Sequence, residues 1–153
     1  MNIQIKADFK KLENFIKLLG SKRYIDIGIL GQESYENGIS IAGIGAVMEF
    51  GSISKNIPER SFILMPIETK QKEIEKQIEP KFPLLINENS TDKFLKEMGI
   101  ACEGVIQEAF DTKGFNTWQP IKEATKKAKG GSDAILIDTG ELRKAISSRI
   151  GGN

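Results

Sequence analysis

Residues Ile39–Ile67 read ISIAGIGAVMEFGSISKNIPERSFILMPI, and this stretch organises the chain. Ile41, Ile44, Val47 and Met48 fall at helical spacing, while Ala42 and Ala46 keep the remaining turns slim. The spacing predicts a short amphipathic helix. Gly51, directly after Glu49-Phe50, is expected to stop it as a left-handed C′ residue. A polar turn follows from Ser52 to Asn56, then Ile57-Pro58. Proline fixes its own φ and pushes Ile57 to extended geometry, so the chain leaves the turn in a set direction. Arg60 comes next, and the apolar run Phe62-Ile63-Leu64-Met65 is expected to return to a core. A helix, a stop, a rigid corner and a buried return describe a frame rather than a catalytic cleft.

The glycines of this stretch do not make a nucleotide loop. The third position of G-x-G-x-x-G would be Met48, and no strand feeds directly into Gly43 and Gly45. Close helix packing is the expected role of both. Glu49 has no carboxylate or base near it in sequence, so it is expected to make an intra- or intersubunit contact near a helix end. Arg60, after the corner, can fork onto a carboxylate or a backbone carbonyl, within the subunit or across a boundary.

Working outward, Asn2 to Lys6 is a short strand at best. Asp8 can cap a helix with Phe9, Leu12, Phe15, Ile16 and Leu19 on one face and Gly20 as terminator. Tyr24 to Leu30 places Ile25, Ile27 and Ile29 on one side, the clearest strand pattern in the chain. A helix is expected from Pro66 or Ile67 to about Glu79, with a narrow stripe of Ile67, Ile74 and Ile78. Pro80 and Pro83 break it, and 87–90 is a loop. From Asp92 to about Phe110 a broad stripe through Phe94, Met98, Ala101, Cys102, Val105, Ile106 and Ala109 predicts a helix buried in the core.

Asp111 to Asn116 is a turn containing Gly114, and Trp118 is expected to close the core or dock on a partner. Lys122, Lys126, Lys127 and Lys129 lead to Gly130-Gly131, a mobile solvated connection by composition. Ile135-Leu136-Ile137 is a short buried strand. Asp138 with Glu141 fits a capping box that opens a helix through Leu142, Ala145 and Ile146. Gly140 weakens that helix slightly, and Gly151-Gly152-Asn153 is a frayed end.

The 153 residues suit one domain able to bury roughly 70% of its unfolded surface. With 39% hydrophobic and 28% charged residues and a net charge of +1, nothing global points to nucleic acid or membrane. No apolar run approaches the ~20 residues of a spanning helix, and Met1 to Lys10 has no apolar signal core, so a cytoplasmic origin is expected. The single cysteine, Cys102, excludes an internal disulfide and is expected to be a buried small hydrophobe. The chain has no histidine, which removes the commonest general base and zinc ligand. No catalytic residue, metal or cofactor is expected.

Helix-E-F-G followed by I-P-x-R-x-F, here Glu49-Phe50-Gly51 and Ile57 to Phe62, resembles the signature of tailed-bacteriophage virion-morphogenesis proteins. Two later pieces fit the same pattern in order: Trp118-Gln119-Pro120, and Ile135 to Arg143 in the form I-L-x-D-T-G-x-L-R. Glu59 and Ser61 depart from it, standing where a small residue and a second proline are common. The resemblance implies a structural subunit of the neck or head-proximal tail that joins or completes head and tail. It implies neck, tail or connector partners, a homo-oligomeric ring, no membrane, assembly in the host cytoplasm and residence in the virion. It puts the contacts at Glu49, Phe50, Gly51, Pro58, Arg60, Phe62, Trp118, Pro120, Asp138, Thr139, Gly140, Leu142 and Arg143, without dividing fold from assembly. The expected fold is α+β, a small, mainly antiparallel sheet packed against three to four helices in one domain, 1–153. Two other classes stay open: a DNA-binding module using the 122–129 lysines, marked by steep salt dependence, and a hydrolase pairing Glu103 with Glu108 or Asp138 with Glu141.

Overall fold

A computed structural model describes residues 13, 16, 20, 22–35, 37–86, 91–136 and 140–152. The expected strand at 2–6, nearly all of the expected first helix, the loop 87–90, and Ile137, Asp138 and Thr139 lie outside the described residues. The architecture is α+β. In chain order come β1 (Tyr24–Ile29), α1 (Ile41–Phe50), α2 (Leu64–Thr69), α3 (Gln71–Ile78), a 3-10 helix (Glu79–Ile86), α4 (Thr91–Asp111), α5 (Glu123–Ala128), α6 (Glu141–Lys144) and β2 (Ile146–Gly151).

The two strands pair antiparallel, with Tyr24 opposite Gly151 and Ile29 opposite Ile146. An isolated two-stranded ribbon is marginal in water and needs a helix on its apolar face. That helix is α4, which lies against both strands. It packs tightly at Gly99, where a Cβ would stand 2.4 Å from Ser148 Oγ and 2.6 Å from Ile25 Cδ1.

Around α4 the apolar side chains divide into two cores. One gathers Ile41, Phe62, Ile106, Phe110, Trp118, Ile135, Leu142 and Ile146. The other gathers Ile74, Ile78, Phe94, Ala101, Cys102 and Val105, and Ile27 and Ile67 pack against both. The broad α4 stripe therefore feeds two cores at once. Cys102 is buried as expected, and burial, with the Glu103 charge beside it, pushes its thiol above its ordinary value.

Several sequence expectations are corrected. The helix expected from Pro66 begins two residues earlier and is broken at Lys70, dividing α2 from α3. The bend lets Ile67 serve both cores while Ile74 and Ile78 serve the second. Beyond it the prolines do not simply break the chain. It tightens into the 3-10 helix containing Pro83. Within the lysine tract Glu123–Ala128 forms the short helix α5, none of whose residues is buried.

Ile135 is buried and Leu136 partly so, but they are not a strand, because Leu136 has a φ of +60° that no strand tolerates. The residue at the cap of α6 is Gly140, at φ +79°; Asp138 of the expected capping box lies outside the described residues. That helix stops at Lys144, since Ile146 is drawn into the sheet opposite Ile29. The expected frayed end is thus partly strand, with Gly151 under the Tyr24 ring. Of the two glycines expected to allow close helix packing, only Gly45 does so; a Cβ there would stand 2.4 Å from Ile29 Cδ1. Gly43 is exposed and its N–H donates to the Ser40 cap at 3.2 Å.

Candidate functional site

Glu49 lies in the last turn of α1 and is 6% exposed. Its carboxylate faces the start of α2, whose first N–H groups have no partner within their own helix. Oε2 accepts from the N–H of Phe62 at 2.7 Å and of Ile63 at 3.0 Å. Oε1 accepts from the Ser61 hydroxyl at 2.7 Å and the Leu64 N–H at 3.0 Å. The Ser61 oxygen accepts in turn from the Met65 N–H at 2.9 Å. One carboxylate thus holds four donors. A negative charge at a helix N-terminus is also favoured by the aligned peptide dipoles. The expected contact near a helix end is within the subunit.

The backbone between Glu49 and Ser61 is held just as closely. Gly51 ends α1 at φ +70°, ψ −179°, a positive-φ but extended geometry rather than the left-handed helical one expected. A Cβ there would meet the Glu59 nitrogen at 2.8 Å. Ser52 and Ile57 exchange backbone bonds of 2.8 and 2.9 Å across the turn, and the Arg60 N–H closes on the Met48 carbonyl at 2.8 Å. Pro58 stands within this closed loop.

Arg60 is 8% exposed, and burial lowers its guanidinium from its ordinary value. It forks onto backbone rather than a carboxylate: Nε donates to the Gln119 carbonyl at 3.1 Å and Nη2 reaches the Pro120 carbonyl at 3.5 Å. The same two segments are tied again where Trp118 Nε1 donates to the Ser61 carbonyl at 3.0 Å. Trp118 meets Phe110 edge to face with centroids 5.8 Å apart, and Phe110 meets Phe62 at 5.5 Å. Trp118 therefore closes the first core. It is delivered by a turn with four consecutive positive φ values, Lys113 to Asn116. Gly114 sits under the indole, where a Cβ would lie 2.4 Å from the ring.

The last motif reaches the same core from the other side. Leu142 is buried against α1 beside Gly45. Arg143 is bidentate on Asp111 at 2.6 and 2.9 Å, and its Nε bonds the Gln107 side chain. The Arg143 guanidinium holds the Asp111 carboxyl below its ordinary range. Asp138 and Thr139 lie outside the described residues. Within the pattern, the side chains of Glu49, Arg60, Phe62, Trp118 and Leu142 are thus turned inward.

Phe50 is turned outward and is 74% exposed. Ile53, at the tip of the turn, is fully exposed, and Leu64 is 56% exposed. Pro120 is exposed as well. Sequence reasoning missed Ser61, which bridges Glu49 to α2. It also missed Gln107 and Asp111 as the seat of Arg143. Neither has a local sign, because the partners are brought together only by the fold.

Of the residues considered for hydrolysis, Asp138 lies outside the described residues. Glu108 is engaged by Lys70 at 3.3 Å, and the same ammonium lies 5.1 Å from the centre of the Phe115 ring. Among the described residues no group of His, Cys, Asp and Glu could hold a metal ion, and no helix is long and apolar enough to cross a membrane. No family model, curated protein or solved structure matches the chain.

Proposed function

We propose that this chain is a non-catalytic structural subunit of a tailed-phage or prophage virion, joining or completing head and tail as part of a homo-oligomeric ring. The reading rests on the resemblance of its three motif segments, and one observation carries it further. Glu49 ties α1 to the start of α2, and Arg60 and Trp118 lock that corner to a segment about 60 residues on, while Phe50, Ile53 and Leu64 point away from it into solvent. A fold needs the lock; it has no use for the apolar side chains left outside. Ring subunits need rigid, complementary edges, since a head-to-tail interface closes only if the rotation between neighbours is set. Partners would be neck, tail or connector proteins, met in the host cytoplasm and retained in the virion.

Phe50→Ser with Ile53→Ser should leave the fold within about 0.5 kcal/mol of the parent, as surface substitutions do. The same pair should abolish incorporation into particles induced from the host that encodes the chain. Melting followed by circular dichroism reads the first part, and mass spectrometry of gradient-purified particles the second. Particles that carry the doubly substituted chain at the parental level would sink the interface. A parental chain that never sediments with particles would sink the virion role itself.

A further inference from the structure

Helix α1 carries no charge on its outer side. Of its residues, Ile41–Phe50, only Glu49 has a polar side chain, and that is turned inward onto the start of α2. A helix that is apolar all round belongs in an interior, yet Gly43, Ala46 and Phe50 are exposed. Beside them α1 and α2 border an open recess of about 320 Å³, walled by Ile29, Ala42, Ala46, Phe50, Ile63 and Leu64. An apolar void of about 150 Å³ already takes a benzene ring, so the recess has room for a branched aliphatic side chain.

The same subunit holds such a side chain outside. Ile53 is fully exposed at the tip of the 52–57 turn. The Ser52–Ile57 bridge and the bonds from Asn56 N–H to the Ile53 carbonyl and from Arg60 N–H to the Met48 carbonyl fix that turn. Ile53 therefore stays outside the recess of its own chain. A charge flanks each feature. Lys55 is on the same turn, no more than about 7 Å from Ile53 along the chain. Glu68 lies one helical turn beyond Leu64, about 6 Å away on the same face of α2. Both are exposed, and among the described residues neither is ion-paired. An apolar protrusion with a cation beside it thus matches an apolar recess with an anion beside it, at similar spacing.

We propose that a second copy of this chain fills the recess: Ile53 of one subunit seats between α1 and α2 of the next, with Lys55 against the partner's Glu68. This names the surfaces that meet in the ring, and it rests on that reading. A protrusion and a recess on different parts of one subunit make a head-to-tail contact, which repeats from copy to copy instead of stopping at a pair.

Two chains test it, both with Cys102→Ala, one carrying Ser54→Cys beside the protrusion and the other Ala46→Cys on the recess wall. Mixed at about 1 mM, where even weak pairing is populated, they should be joined by a short bismaleimide. Ile53→Ser in the first chain should cut that link about tenfold, as loss of a seated aliphatic side chain does. Lys55→Glu in the first chain should lower it about threefold, and Glu68→Lys in the second should restore it. Linking of the Ser54→Cys chain only to itself would mean a twofold contact through the turn. No link would mean that another protein or another part of the chain takes the recess. Either result overturns the pairing, as does a link that survives Ile53→Ser or that the reversed charges fail to restore. The links are read in purified protein, so a chain missing from particles would end the virion role without altering them.

Discussion

Glu49→Ala should cost on the order of 3–5 kcal/mol, the loss expected when a buried ionic partner is removed and its donors are left behind. Four donors converge on that carboxylate: the Ser61 hydroxyl and the N–H groups of Phe62, Ile63 and Leu64. None has another place to go, because the start of α2 is pressed against Phe62, which is fully buried. For a chain of this size the change corresponds to a fall in melting temperature of roughly 6–20 °C. Glu49→Gln should cost less, since an amide keeps one accepting oxygen but turns an NH2 toward the remaining donors. Ser61→Ala should cost about 1 kcal/mol, because the carboxylate still holds the three N–H groups. Chemical denaturation of the three variants checks the order. Equal losses for Glu49→Ala and Ser61→Ala would mean that the carboxylate is not the anchor of the corner.

What could be read from the sequence follows from how local each cause is. The first helix, its stop at Gly51 and the turn before Pro58 were legible because glycine and proline act on their own neighbours. The long α4 was legible because a continuous stripe needs no knowledge of its partner. β2 was not. Ile146-Ser-Ser-Arg-Ile-Gly has a weak alternation, and it is a strand because Ile29 and Tyr24 pair with its ends. Leu136 sits in an apolar run, yet its φ is positive, which no local signal announces.

The candidate site divides in the same way. A contact for Glu49 and a fork for Arg60 were expected from their neighbourhoods. Their partners lie 12–15 and about 60 residues away, so neither identity was visible. Phe62 and Leu142 are core residues of a motif whose sequence could not separate fold from surface. That separation leaves Phe50 and its exposed neighbours, not Arg60, as the residues to vary when assembly is to be tested without unfolding the subunit.

The lock between the corner and the Trp118-Gln119-Pro120 segment makes the second large prediction. Trp118→Ala should cost about 3–5 kcal/mol, the usual loss for a large buried aromatic. It empties the place beside Phe110 and leaves the Ser61 carbonyl without its indole donor. Trp118→Phe keeps much of the packing and should cost about 1–2 kcal/mol, mainly the bond to that carbonyl. Arg60 grips the adjoining Gln119 and Pro120 carbonyls, so the two side chains tie the same two segments together. Once either is lost the segment is partly free, and the other has less left to hold. The double variant Arg60→Ala with Trp118→Ala should therefore lose less than the sum of the single losses, with a coupling of about 0.5–3 kcal/mol as found for residues in one network. Urea unfolding of the four chains in the cycle measures it. Losses that add within about 0.3 kcal/mol would show two independent contacts and no shared lock, since that is the scatter expected of uncoupled sites.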